Sequence, residues 1–288
     1  MPPIELAVIG GSGLYDMADL TELEEIALDT PFGTPSDKIT LGTLHGRRLA
    51  FLPRHGRGHF LSPSDVPYRA NIFALKQLGV KYIVSVSACG SLREDIAPGQ
   101  IVIPDQLVDW TKGQRERSFF GRGLVAHVSV ADPFNAELSQ ALATAVQTAG
   151  GTVHQGGAFI TIEGPRFSTR GESNLYRQWG LSIIGMTTSP EAFLAAEAEI
   201  AYACMAHVTD YDVWHDSAEP VTVEMVIQTM IHNTQLAKKG ISELVHNMAD
   251  WEGHFAVHDR LRDAMITSKQ SIDSGLATKL APLVGKYL

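Results

Sequence analysis

Seven short apolar runs, rich in β-branched residues, recur along this chain and limit what it can fold into. They are residues 6–10 (LAVIG), 48–53 (RLAFLP), 82–88 (YIVSVSA), 100–104 (QIVIP), 158–164 (AFITIEG), 181–186 (LSIIGM) and 201–208 (AYACMAHV). Several are apolar at both alternating sets of positions, so both faces of such a strand need a cover. Helical patterns lie between them, at 68–79, 135–150 and 189–200. The last opens with Ser189 as N-cap, Pro190 at the first helical position and Glu191 in the first turn. Strands alternating with helices predict one mainly parallel, layered α/β domain. A long helix is expected from Thr222, with Val223, Val226, Ile227, Met230 and Ile231 at helical spacing. The polar, basic stretch 108–127 reads as a long loop, and residues 250–288 as a partly helical tail.

Composition narrows the function. The chain has 288 residues, 44% of them hydrophobic and 19% charged, which is ample for a substantial core. A formal charge of -9 argues against a general polyanion-binding surface, so nucleic acid is not an expected partner. One small anion in a local pocket stays compatible with it. The two cysteines, Cys89 and Cys204, sit inside apolar runs and suit a reducing compartment. The first residues lack the basic start and apolar stretch of a signal peptide, and no apolar run approaches a membrane span. A cytoplasmic protein with no membrane partner is expected.

The strand ends hold the chemistry. GGSGLYD (10–16) places close-set glycines and Ser12 after the first strand, where backbone N–H groups can approach an anion. Asp16 stands where a dinucleotide-binding pattern starting at Gly11 and Gly13 needs its third glycine, so tight turn and anion cradle both stay open. RHGRGH packs Arg54, His55, Arg57 and His59 into six residues. That cluster is either a solvated basic loop or an anion site at a carboxyl strand end. SACGSL (87–92), TIEGPRFSTR (161–170) and GMTTSPE (185–191) end three further strands with small, polar or glycine-bearing sequence. Thr187 and Thr188 precede a predicted helix N-terminus, whose free N–H groups favour anions. In TDYDVWH, Asp210 and Asp212 would leave one face of an extended strand end together. Metal binding, an acid role and a plain polar turn all fit that pair. With His215 they make an incomplete metal set, and no metal site is expected.

Taken in order, IGGSGLYD, TPFGTPSD, RHGRGH, ANIFALKQLG, ACGSLRE, TIEGPRFSTR, MTTSPE and TDYDVW resemble the trimeric purine nucleoside phosphorylases, in their methylthioadenosine phosphorylase branch. The resemblance covers residues 5 to 245. It implies a single-domain phosphorylase fold, α/β, with a mixed, distorted central β-sheet surrounded by helices. The nucleoside phosphorylase domain would span 1–250, with a C-terminal helical extension, 251–288, packed on it. The implied partners are a small-molecule nucleoside and inorganic phosphate as co-substrate, with no metal or organic cofactor. The implied assembly is a homotrimer, with a hexamer as the alternative.

Carried over by motif, the resemblance places Ser12, Arg54, His55, Ser87, Ala88 and Thr187 around phosphate, and Met186 beside the ribose. Phe167 would pack on the base, and Ser168, Asp210 and Asp212 would address its polar edge, with Asp210 as the catalytic acid. The family commonly has threonine where this chain has Ser12 and, often, Ser87, so hydroxyl chemistry is retained. Branches acting on 6-oxopurines would carry Asn near Asp210 and Glu near Ser168. This chain carries neither, and an acceptor carboxylate suits the 6-amino group of adenine. Val223, Val226 and Ile227 would border an apolar 5′-substituent. His59 and His127 are further candidates for that end, His127 by reaching a neighbouring subunit's site. The expected reaction is phosphorolysis of 5′-methylthioadenosine. The alternatives are a phosphorylase acting more broadly on adenosine, inosine or methylthioinosine, and a non-catalytic nucleoside-binding protein.

Overall fold

The computed structural model of the chain describes residues 3–11, 13, 14, 16–215, 223–248 and 255–288, with the backbone alone at 223 and 225–232. In chain order the elements are β1 (Ile4–Gly10), β2 (Thr21–Ile26), β3 (Ile39–Leu44), β4 (Arg47–Pro53), α1 (Tyr68–Gln77), β5 (Tyr82–Ser91), β6 (Ile101–Ile103) and β7 (Gln106–Trp110). There follow α2 (Ala136–Thr148), β8 (Val153–Gln155), β9 (Ala158–Ile162), α3 (Arg170–Gln178), β10 (Ile183–Gly185), α4 (Thr188–Glu197), β11 (Ala201–Asp210), α5 (Val223–Asn247), α6 (Ser274–Lys279) and α7 (Ala281–Val284).

One sheet holds all eleven strands in the order β2-β3-β4-β1-β5-β10-β9-β7, with β11 on β5 and β6, and β8 on β6. Six of its ten ladders are parallel and four antiparallel, so the expectation of a mainly parallel sheet is corrected to a mixed one. Local turn chemistry explains part of this. His45 and Gly46, at φ 48° and 75°, form a two-residue reversal that can only join antiparallel strands, β3 to β4. The sheet belongs to a single α/β domain with helices on its faces, as the resemblance implies.

Alternation along the strands sorts the core into two layers. Ala7 and Ile9 of β1 and Ile83 of β5 face a core shared with α1, α4 and the C-terminal segment. Leu6 and Val8, with Val84 and Val86, face the opposite core, closed by α2 and α5 through Leu138, Leu142, Ile241 and Leu244. Each central strand is therefore apolar on both faces, as its sequence indicates.

β5 organises the site. Tyr82–Ser85 pair with β1, while Ser91 and Gly90 pair with β10, and β11 runs along the strand from Ala201 to Asp210. Between Ser85 and Gly90 the strand parts from one neighbour before joining the next. The sheet splits there, and the split opens a cavity at the carboxyl ends of β1, β4, β5 and β11.

Several segments depart from expectation. β2 and β3 carry no signal comparable to the seven runs, and β2 is largely exposed. β7 enters the stretch read as a loop. Ser189 has the extended backbone of a cap, φ -100° and ψ 133°, but its hydroxyl has no hydrogen-bond partner. Its N–H instead donates to Thr161 Oγ1 at 3.1 Å. Beyond residue 254, Leu261, Leu280, Leu283 and Val284 join the same core as α1 and α4.

Candidate active site

The cavity in the sheet split measures about 360 Å³, a size that suits a nucleoside-sized molecule. Arg54, His55, Ser87, Ala88 and Thr187 line one end. Phe167, Ser168, Met186, Asp210 and Asp212 line the remainder, and His59 stands at its margin with its ring stacked on His55, 4.2 Å between centroids. Eleven residues singled out from sequence thus converge on one space.

Arg54 enters this end immediately after β4, almost wholly buried. Its Nε and Nη2 donate to the two carboxylate oxygens of Glu191 at 2.7 and 2.9 Å, and Nη2 also donates to Ser85 Oγ at 2.7 Å. Nη1 donates to the Val86 carbonyl at 3.1 Å. Most of the guanidinium fork is therefore engaged by protein, leaving one Nη1–H among its five donors. Glu191 also accepts from the Tyr202 hydroxyl at 2.8 Å, which locks the buried pair between α4 and β11. Burial, reinforced by the Arg54 charge, pushes the His55 imidazole down to about 4, so it is neutral near pH 7. Its Nδ1 lies 2.9 Å from the Leu61 carbonyl, which places the ring proton there and leaves Nε2 as an acceptor. The Ser87 and Thr187 hydroxyls approach each other at 3.5 Å, bringing β5 and the start of α4 together.

The carboxylates come together differently from the expected strand pleat. β11 ends at Asp210 after a register shift against β5, and Asp212 follows in a turn at φ 53°. The Asp212 N–H donates to Asp210 Oδ1 at 2.7 Å, a side-chain-to-backbone turn of the kind Asp favours. The Thr209 hydroxyl lies 2.6 Å from Asp210 Oδ2 and 3.2 Å from the Cys89 carbonyl. It can donate to an ionised Asp210, or accept from a protonated one and turn its own proton to Cys89. Burial raises the Asp210 carboxyl above its usual range, against the opposing bonds from Thr209 and the Asp212 N–H. Burial, with the neighbouring Asp210 charge, lifts Asp212 to about 6. Ser168 Oγ is buried without a hydrogen-bond partner, and Asp212 Oδ2 makes no close hydrogen bond, although the Ser173 hydroxyl near it opposes the upward shift of its carboxyl. Both atoms can take a polar ligand.

Trp214 fixes the turn from behind. Its indole N–H donates to the Ser91 carbonyl at 2.7 Å, and the Arg177 guanidinium lies 3.3 Å from its ring centroid. At position 90 a Cβ would stand 3.0 Å from Asp210 Oδ1, 3.1 Å from Ile184 Cγ2 and 3.3 Å from Asp212 Cβ, so any side chain there would crowd the carboxylate pair.

His127 is not part of this cavity. It is exposed, and its N–H donates to the Ala264 carbonyl at 2.8 Å, beside the C-terminal segment. Ser12 lies outside the described residues, as do the side chains of Val223, Val226 and Ile227 at the start of α5. Among the described residues no three His, Cys, Asp or Glu side chains form a group able to hold a metal ion, and no helix is long and apolar enough to cross a membrane.

Sequence reasoning missed three supporting residues. Glu191 was assigned only to a helix start, and its pairing with Arg54 spans 137 positions, so no local signal announces it. Thr209 was in plain view before Asp210. Arg115, inside the stretch read as a polar loop, is buried and donates to the Met186 and Ser189 carbonyls at 2.6 and 2.7 Å. It also donates to the Glu163 carbonyl at 2.7 Å and its carboxylate at 3.0 Å.

The cavity in the sheet split thus gathers Arg54, the Ser87 and Thr187 hydroxyls and the paired carboxylates of Asp210 and Asp212. The model of the phosphorylase superfamily matches residues 5–246, and the chain belongs to that superfamily. Among curated relatives, S-methyl-5′-thioadenosine phosphorylase of Chloroflexus aurantiacus is 54% identical over 284 residues, covering 98% of each chain. Among solved structures, a methylthioadenosine phosphorylase from an antarctic soil metagenomic library superposes with a TM-score of 0.94 at 48% identity, covering 98% of this chain and 99% of that one. A variant adenosine/methylthioadenosine phosphorylase from Schistosoma mansoni, solved in complex with methylthioadenosine, has a TM-score of 0.80 at 37% identity, covering 85% of this chain and 91% of that one.

Proposed function

We propose that the chain catalyses the reversible phosphorolysis of 5′-methylthioadenosine to adenine and 5-methylthioribose 1-phosphate, as a pentosyltransferase. The observation that carries this reading is the cavity with Asp210, Asp212 and Ser168 on one wall and the Arg54, His55, Ser87 and Thr187 groups on another. Phosphate is held by Arg54, His55, Ser87, Ala88 and Thr187 with Ser12, Met186 lies beside the ribose, and Phe167 packs on the purine. A phosphate oxygen forms the new bond to C1′ while the C1′–N9 bond breaks and its electron pair goes to the base. Asp210 gives its proton to N7 of the departing purine, and the raised affinity of that carboxyl for a proton supports the role. Asp212, through Oδ2, and Ser168 read the polar edge and the 6-amino group. Val223, Val226 and Ile227, with His59, border the methylthio end, and His127 serves that end of a neighbouring subunit. Phosphate held beside the developing sugar cation is both nucleophile and electrostatic partner. The reaction uses neither metal nor organic cofactor, and inorganic phosphate is the co-substrate.

The enzyme works as a cytoplasmic homotrimer in purine and methionine salvage. Trp110 and Trp179, both exposed and packed edge to face at 5.1 Å, support a subunit contact.

Base release from methylthioadenosine, adenosine, inosine and methylthioinosine, with and without phosphate, tests the proposal. Methylthioadenosine should give the highest kcat/KM, strictly dependent on phosphate. The Asp210→Asn variant should lose about 10²–10⁴-fold in adenine release while remaining folded. Faster turnover of methylthioinosine would overturn the base assignment. Phosphate-independent release would make the protein a hydrolase, and tight binding without release would make it a binding protein.

A further inference from the structure

Beneath the turn that follows β1 lies a second cavity, of about 30 Å³, walled by Gly11, Gly13, Leu14 and Val86 with His207 of β11 and Asn233 and Thr234 of α5. His207 and Asn233 are each only 1% exposed. Yet both ring nitrogens of His207 and both amide atoms of Asn233 lack a hydrogen-bond partner. Four buried polar atoms without partners, gathered at one small cavity, are far outside what protein interiors carry.

The chemistry of the two side chains is complementary. Burial pushes the His207 imidazole down to about 4, so near neutral pH it presents one N–H and one lone pair. Asn233 presents an amide N–H and a carbonyl oxygen. The two nitrogens of one imidazole ring point apart, so a single water in a space of this size can bond one of them together with the amide of Asn233. The location has a consequence, because Gly11 and Val86 also line the active-site cavity. A group that braces the Gly11–Leu14 turn from below also fixes the end of the site where Arg54, Ser87 and Thr187 converge.

We propose that His207 and Asn233 hold one buried water molecule against the underside of the Gly11–Leu14 turn, and so act as positioning residues for the phosphate end of the active site. The kinetic consequence rests on the phosphorolysis reading, whereas the water site does not.

Two measurements test this separately. A crystal structure of the full chain, at a resolution that orders solvent, should show one water within about 3.2 Å of both side chains. A dry cavity, or a direct His207–Asn233 hydrogen bond, would overturn the proposal. In kinetics, His207→Leu should raise the KM for phosphate about tenfold, comparable to losing one buried hydrogen bond. The KM for methylthioadenosine and kcat at saturating phosphate should stay within about twofold, and His207→Gln, which restores polar atoms, should recover most of the phosphate affinity. An unchanged phosphate KM, or equal rises in both KM values, would also overturn it. Should His207→Leu fail to fold, Asn233→Leu carries the same prediction. If the wild-type chain performs no phosphorolysis, the proposed function fails. The crystallographic water, with equilibrium binding of inorganic phosphate, then decides the inference alone.

Discussion

At Asp212 a single backbone conformation decides the arrangement of the carboxylates. The residue sits at φ 53°, in the left-handed region that Asp tolerates better than most side chains, and its N–H closes on Asp210. The pair was legible in the letters TDYD, but its geometry was not, because a strand pleat and a side-chain turn both place residues two apart near each other. The proton affinity of Asp212 has a measurable consequence. Its carboxyl is raised from 3.8 to about 6, so between those values the folded chain keeps a proton that the unfolded chain has released. Stability therefore falls as pH rises through that window. Asp212→Asn, which has no proton to lose, should be more stable than wild type by ~2 kcal/mol near pH 8, with the gain vanishing toward pH 4. Urea unfolding at the two pH values checks this, and a gain that is equal at both would refute the burial argument.

Among the elements, the segment after β7 changed most between sequence and structure. A polar, arginine-containing stretch with glycines resembles solvated loop in any window of sequence. Arg115 leaves that loop for the interior and ties together two strand ends and two helices: Ile162 and Glu163 at the end of β9, Met186 just after β10, Ser189 in α4 and Tyr68 of α1. Nothing local distinguishes it from the exposed Arg117, since its acceptors lie 47 to 74 positions away. Replacing Arg115 by Met leaves the partly buried Glu163 carboxylate only the Ser64 hydroxyl and the Lys112 N–H, and takes the Arg115 donors from several carbonyls. A loss of about 3–5 kcal/mol in denaturant unfolding is expected. The double variant Arg115→Met/Glu163→Gln should recover part of it, which a purely steric effect would not allow. By contrast, α3 had a readable start: Thr169 caps Glu172 N–H and the Glu172 carboxylate accepts from Thr169 N–H, a capping box visible as STRGE.

Across the whole molecule, the C-terminal segment shows how much of the architecture depends on distant contacts. Glu199, almost wholly buried, accepts from the Leu261 N–H at 2.8 Å and the Tyr287 hydroxyl at 2.5 Å, and pairs with Lys286 at 2.8 Å. One carboxylate at the entry to β11 thus gathers both halves of the segment from 255 to 288. Glu199→Ala leaves the Leu261 N–H and the Tyr287 hydroxyl without this acceptor, while Lys286 keeps the His258 carbonyl and Asp259. Limited proteolysis should then cut within 255–288 at least about tenfold faster, with residues 4–210 resisting as in wild type, because local opening and not global unfolding is changed. An unchanged cleavage rate would show that apolar packing of Leu261, Leu283 and Val284 holds the segment without Glu199.

By itself the sequence determined which strands lie in the interior, since a run apolar on both faces can only be stable when covered on both. It also determined where polar and charged groups accumulate, at the carboxyl ends of those strands, because turns must be wet and helix starts need donors satisfied. Only the tertiary structure decided the order and direction of the strands and the parting of β5 from β1 that opens the cavity. It alone turned the Arg54 fork onto Glu191 and buried Arg115. Those outcomes depend on pairings between residues far apart in the chain, whose energies arise only when the elements have docked. Periodicity reports whether a residue faces the interior, and docking chooses the partner it meets there.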